Sequence, residues 1–128
     1  MKEAVRILVL MSLAPIAAAK GVPVHVIIDF ADREDLDIAV TYEEAYELTG
    51  VKQPYDIEFW VVGAFAKAKL DFKIEKDKRG KVVTSIQGVA NDSTSHWVYF
   101  VNGFRSKWHI DNQSEPRPRT IRFKYEAR

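Results

Sequence analysis

From Val22 to Phe30 the chain alternates: Val22, Val24, Val26, Ile28 and Phe30 fall on one side, and Pro23, His25, Ile27 and Asp29 on the other. A period of two rich in β-branched residues predicts a strand, and Pro23 near its start suits a strand beginning or an edge. After the charged turn "ADREDLD" the alternation resumes at Ile38, Val40 and Tyr42, which predicts a second strand. The same region supports another reading. Thr41 followed by Glu44 forms a capping-box pattern and Gly50 is a natural helix stop, so residues 41–50 stay open between strand and short helix.

The period then changes. Ile57, Trp60, Val61, Ala64, Phe65 and Ala68 form one continuous stripe at helical spacing. Asp56 is placed to cap this helix, while Lys67 and Lys69 suit the negative end of its dipole. Phe59 and Val62 widen the stripe beyond one face, so the helix is expected to be buried on most sides. Gly63 in its interior costs about 1 kcal/mol relative to alanine, which suggests a close backbone approach there. Alternation returns at Leu70, Phe72 and Ile74. "KDKRG" turns the chain, "KVVTSI" (81–86) comes back as the partner strand, and Ile121, Phe123 and Tyr125 mark a last strand. Strands, one main helix and more strands predict a single α+β domain without repeats or low-complexity segments.

The stretch "HWVYFVNGFRSKWH" (96–109) is nearly symmetric about Asn102-Gly103. Asn-Gly between alternating runs predicts a hairpin with a type I′ turn, because both central residues need φ > 0. A two-residue loop puts Val101 opposite Phe104, Tyr99 opposite Ser106, Trp97 opposite Trp108 and His96 opposite His109. One face then carries Trp97, Tyr99, Val101, Phe104 and Trp108, and cross-strand aromatic pairs make the symmetry first of all a folding device.

Composition narrows the chemistry. The chain has 128 residues, no cysteine and a formal net charge of +1, so disulfides, thiolate ligands and cysteine nucleophiles are excluded and no global field draws it to nucleic acid. "MKEAVRILVLMSLAPIAAAK" has a charged start, an apolar run from Ile7 to Ile16 and an Ala17-Ala18-Ala19 cleavage pattern. Residues 1–19 are therefore expected to be a secretory signal peptide, since the run is too short for a span of about 20 residues. The mature chain would begin at Lys20, secreted or periplasmic, with no membrane span after cleavage.

Nothing in the sequence looks catalytic. Ser85, Ser93, Ser95 and Ser106 lack a nucleophile-elbow setting. Two histidines at the hairpin ends would need a third metal ligand, for which Asp92 and Asp111 are the nearby candidates, and partly exposed strand-end histidines are the expectation instead. Glu43–Glu44 and Asp35–Asp37 read as solvated turns. Lys76, Lys78, Arg79 and Lys81 read as a solubilising basic turn. "NDS" (91–93) and "NQS" (112–114) are glycosylation acceptors only in a eukaryotic secretory route.

The run "LDFKIEKDKRGKVVTSIQGVANDSTSHWVYFVNG" with the closing "IRFKYE" resembles the transcobalamin C-terminal-like family of small extracytoplasmic domains. The pieces that carry the likeness are Thr84-Ser85-Ile86 with Gly88-Val89, Trp97-Val98-Tyr99 running into Val101-Asn102-Gly103, and the last alternating strand. The helix "IEFWVVGAFAKAKLDF" fits the family's helix before its second hairpin. The likeness spans residues 22–126 and is dense from 70 to 103. It implies a β-grasp-like fold, one main helix on a mixed sheet of about five strands, with a corrinoid such as cobalamin as the candidate cofactor-like ligand. The loop "HIDNQSEPRPRT" departs from the family's Gly-Asp turn before the final strand.

The resulting expectation is an exported, non-enzymatic binding domain for a small planar ligand, or alternatively a module that docks an extracytoplasmic protein partner. Candidate ligand-binding residues are Trp108, Trp97, Tyr99, Phe104 and Asn102. Trp108, beside the divergent loop, is the expected platform, and Trp97 is expected to pack. No metal ligand or catalytic residue is assigned.

Overall fold

The computed structural model describes residues 22–51, 56–114 and 118–128; the expected signal segment lies outside them. Strand β1 (Val24–Asp29) is paired on both sides. It runs antiparallel to β2 (Leu36–Val40), with Val26 opposite Ile38, and parallel to β8 (Thr120–Ala127), with Val26 beside Ile121. Strand β6 (Ser95–Val101) lies antiparallel along the other side of β8, and the two-residue β7 (Phe104–Arg105) hangs on its end. The order β2-β1-β8-β6-β7 makes a mixed five-stranded sheet. A separate antiparallel sheet contains β3 (Phe72–Asp77), β4 (Gly80–Ile86) and β5 (Val89–Ala90).

Among the described residues, two helices accompany these eight strands. The capping-box reading of residues 41–50 is the one realised. In α1 (Tyr42–Thr49) the Thr41 hydroxyl accepts from the Glu44 amide while the Glu44 carboxylate accepts from the Thr41 amide, and Gly50 closes the helix in the left-handed region. Tyr42 therefore belongs to a helix and not to β2, and the expectation of one main helix gives way to a packed pair. Gly63 of α2 (Ile57–Lys67) explains the pairing: a β-carbon there would lie 2.7 Å from the Ala45 β-carbon of α1. Lys67 fastens the same junction, donating to the Ala39 carbonyl at 2.5 Å and reaching Glu44 at 3.0 Å.

The core is the inner face of the larger sheet under α2. Val26, Ile28, Val40, Ile57, Val61, Phe65, Ile121 and Phe123 are all essentially inaccessible. Phe65 joins the two sheets, with its ring 5.1 Å from Phe72 of β3 and 5.7 Å from Phe123 of β8. Each such ring removed from water contributes roughly 1.5–3 kcal/mol. The helix ends in a Schellman arrangement, Leu70 donating to the Phe65 carbonyl and Lys69 to that of Ala66, with Lys69 at φ 56°.

Asp56 occupies the N-cap position of α2, but its side chain makes no capping bond. Main chain from the distant loop does the work instead: the Gln113 and Ile110 carbonyls accept from the amides of Ile57 and Glu58 at 3.0 and 2.9 Å. The amide of Ile110 in turn donates to the Lys81 carbonyl, and its side chain is buried. This loop, after the hairpin, thus ties the start of α2 to β4.

Candidate functional site

The turn at the hairpin tip is as expected. Asn102 and Gly103 have φ of 51° and 88°, and Val101 pairs with Phe104 and Phe100 with Arg105. The Ser106 amide still donates to the Tyr99 carbonyl at 2.9 Å. Beyond that the two arms part. The expected register, with Trp97 opposite Trp108 and His96 opposite His109, is not formed: Trp97 pairs with Tyr125 and His96 with Glu126, both on β8. The free side of β6 is closed by side chains, since Asn91 accepts from the Trp97 amide and Asp92 from that of Ser95. The outgoing arm leaves because Ile110 is drawn into the core.

This separation sorts the five candidate residues. Trp97 is core: its ring meets Phe30 edge-on at 5.5 Å and Tyr125 at 5.0 Å, and its indole N–H donates to the Val89 carbonyl. Tyr99 is also buried, stacked 5.5 Å from Phe123. Neither ring offers a face to a ligand, which corrects their assignment as a binding surface. Phe104 and Trp108, by contrast, are 78% and 66% exposed. Asn102 lies at the tip, where its side-chain oxygen accepts from the amides of Arg119 and Thr120 and so holds β8's entry to the turn.

Phe104, Trp108 and Asn102 share an open depression of about 390 Å³ with Val101, Arg105, Ser106, Lys107 and Gln113. Its outer wall is well anchored. The Tyr99 hydroxyl donates to the Trp108 carbonyl at 2.6 Å, and the Trp108 amide donates to the Ser106 hydroxyl oxygen at 3.1 Å. Ser106 also bonds the Gln113 side chain, which binds the wall to the loop that caps α2. Burial pushes the Tyr99 hydroxyl up to about 12, against the lowering effect of its bond with Ser106. Tyr99 therefore stays a neutral donor across the ordinary pH range.

The charges are arranged unevenly. Arg105 is paired with Glu126 at 2.6 Å, whereas Lys107 has no ion-pair or hydrogen-bond partner among the described residues. Gln113 and Ser106 carried no signal in the sequence, because they meet only through the excursion of the loop. Lys107 was legible only as the polar neighbour of Trp108.

The histidines do not meet. His109 lies 3.0 Å from Asp77 in the β3–β4 turn, and this bond holds the Asp77 carboxyl below its usual range. Asp111, once a possible third ligand, accepts from the Lys81 amide. Among the described residues no three histidine, aspartate or glutamate side chains gather as a metal-binding set. No helix there is long and apolar enough to cross a membrane.

No family model matches the chain, and no curated protein matches it. Solved structures do. A protein of Ruminococcus gnavus described as a candidate metal-binding protein superposes with a TM-score of 0.61 at 10% identity, over 84% of this chain and 99% of that one. Haptocorrin in complex with Cbi superposes with a TM-score of 0.58 at 11% identity, over 87% of this chain. The match takes in 28% of the haptocorrin chain, so this chain is similar to one part of that protein. At these identities the likeness is one of fold.

Proposed function

We propose that this protein is an exported, non-enzymatic binding domain that receives a small planar ligand at the hairpin tip, with Trp108 as platform, Phe104 as second wall and a corrinoid as the candidate ligand. The observation that carries this reading is Trp108 itself. An indole that is 66% exposed stands on a main chain held at both its amide and its carbonyl. Large apolar rings presented to water on an anchored backbone are a feature of binding sites rather than of cores. The fold likeness to haptocorrin, which is in complex with Cbi, supports the choice of ligand class. The finer fold assignment that goes with it is β-grasp: α2 crosses a mixed sheet whose central strands β1 and β8 run parallel. Export rests on the signal pattern of residues 1–19, and N-terminal sequencing of protein from its native host should read Lys20 first.

Titration with cyanocobalamin, a corrinoid that carries a phosphodiester, followed by corrin absorbance and tryptophan emission, tests the ligand. Binding should quench the exposed indole and disappear in Trp108→Ala. Absence of any spectral change would remove the corrinoid. A second reading is supported by Phe104 and Trp108, two large exposed rings that line one depression at the hairpin tip. There the same surface docks an extracytoplasmic protein partner.

A further inference from the structure

We infer that the ligand of this depression is acidic: a planar ring held by Phe104 and Trp108 and bearing a carboxylate, sulfonate or phosphate that pairs with Lys107. The inference rests on the reading of the two aromatic residues as a ligand platform and adds the charge of what they bind.

Three observations lead to it. None of the eight described residues around the depression is acidic, although the chain as a whole has 18 acidic residues against 19 basic ones. Of the two cations that line it, Arg105 is neutralised by Glu126 at 2.6 Å, while Lys107 has no counter-charge among the described residues. A third cation, Arg119, is rooted at the rim, because its amide donates to the Asn102 side chain at 2.7 Å. Five of the fourteen described lysines and arginines form ion pairs, Lys67 with Glu44, Lys81 with Glu58 and Arg122 with Asp35 among them, so what sets Lys107 apart is its place beside two exposed rings. Among the described residues, the depression is therefore a place where positive charge is left over beside exposed rings. A neutral planar ligand would use the rings and leave that charge idle. An acidic one uses both, and its charge-assisted contact is strengthened by the partial exclusion of water between the rings.

A matched pair of dyes separates charge from ring. 1-Anilinonaphthalene-8-sulfonate and N-phenyl-1-naphthylamine share the same aromatic framework and differ in the sulfonate. Fluorescence titration of the full chain should show the sulfonate probe binding about fivefold more tightly, as befits a partly exposed ion pair. In Lys107→Gln the preference should fall to about one, with the circular-dichroism spectrum unchanged. Raising the salt from about 0.01 M to about 1 M shortens the screening length from ~30 Å to ~3 Å and should weaken the sulfonate probe alone. Equal affinity for both probes, each lost in Trp108→Ala, would overturn the acidic ligand and leave the platform standing. Binding of both that ignores Trp108→Ala would overturn the platform and this inference together. A sulfonate preference that survives Lys107→Gln, or a dimer by sedimentation that dissociates in Trp108→Ala, would also overturn it, the latter by giving the patch to a second copy of the chain.

Discussion

Tyr99 shows how a core residue can support the wall of the depression at the hairpin tip without lining it. Its ring fills the core and its hydroxyl supports the Trp108 main chain. Because burial raises its folded-state value to about 12 from 10.0, the folded protein holds this proton more tightly than the unfolded chain. The stabilisation is therefore fully present below pH 10 and is lost as pH rises through about 12. Absorbance titration at the tyrosinate band should show the Tyr99 phenol, identified by its loss in Tyr99→Phe, ionising together with unfolding. Tyr99→Phe should keep the fold, cost about 1 kcal/mol and loosen the Trp108 wall, as seen by easier iodide quenching. Gly103 is a second residue-scale case. A β-carbon there meets nothing within 4 Å, so only its φ of 88° resists substitution. Gly103→Val should lower stability by more than about 1 kcal/mol in a urea melt. An unchanged midpoint would contradict the strained turn.

Among the elements, legibility follows the range of the interaction that decides each one. The α2 stripe, the β3–β4 hairpin and the Asn102-Gly103 turn are written in neighbouring residues, and they form. The Thr41–Glu44 capping box is equally local, and it outweighs the alternation of Ile38, Val40 and Tyr42 that ran into it. A second two-residue turn with both φ positive, Gln87-Gly88 at 52° and 80°, forms without an Asn-Gly pair to mark it in the sequence. The extension of the Trp97 hairpin failed for a non-local reason. Strand β6 finds its long partner in β8, and Ile110 is worth more in the core than Trp108 opposite Trp97. Asp56 has the residue type and position of a cap, but the groups that satisfy the first amides of α2 are carbonyls from the distant residues 110 and 113. The α1–α2 junction offers a direct test. Gly63→Ala adds a methyl where 2.7 Å separates it from Ala45, so despite better helix propensity it should destabilise by about 1–3 kcal/mol. A gain in thermal midpoint would show that the two helices can move apart freely.

At the scale of the whole molecule, the divergence of the two hairpin arms is what shapes the depression at the hairpin tip. Had Trp108 paired with Trp97, both indoles would be candidates for the core and the loop would have no anchor on α2. Instead one indole packs in the core and the other is left exposed beside a lysine that has no ion-pair partner among the described residues. The partition follows from the fold: β6 belongs to the sheet, whereas residues 106–114 bridge the β3–β4 turn, the start of α2 and the hairpin tip. Three of the five candidate residues, Trp108, Phe104 and Asn102, lie on the depression and were visible as a cluster around the turn. The other two, Trp97 and Tyr99, share their alternation pattern but not their fate, because β8 supplies the rings that cover them.

The central claim is that Trp108 serves the surface and Trp97 the core. Urea unfolding of Trp108→Ala and Trp97→Ala, measured side by side, tests it most directly. The expected result is a loss below about 1 kcal/mol for the exposed indole and of ~3–5 kcal/mol for the buried one. A Trp108→Ala protein that loses as much stability as Trp97→Ala would contradict it and return Trp108 to the core.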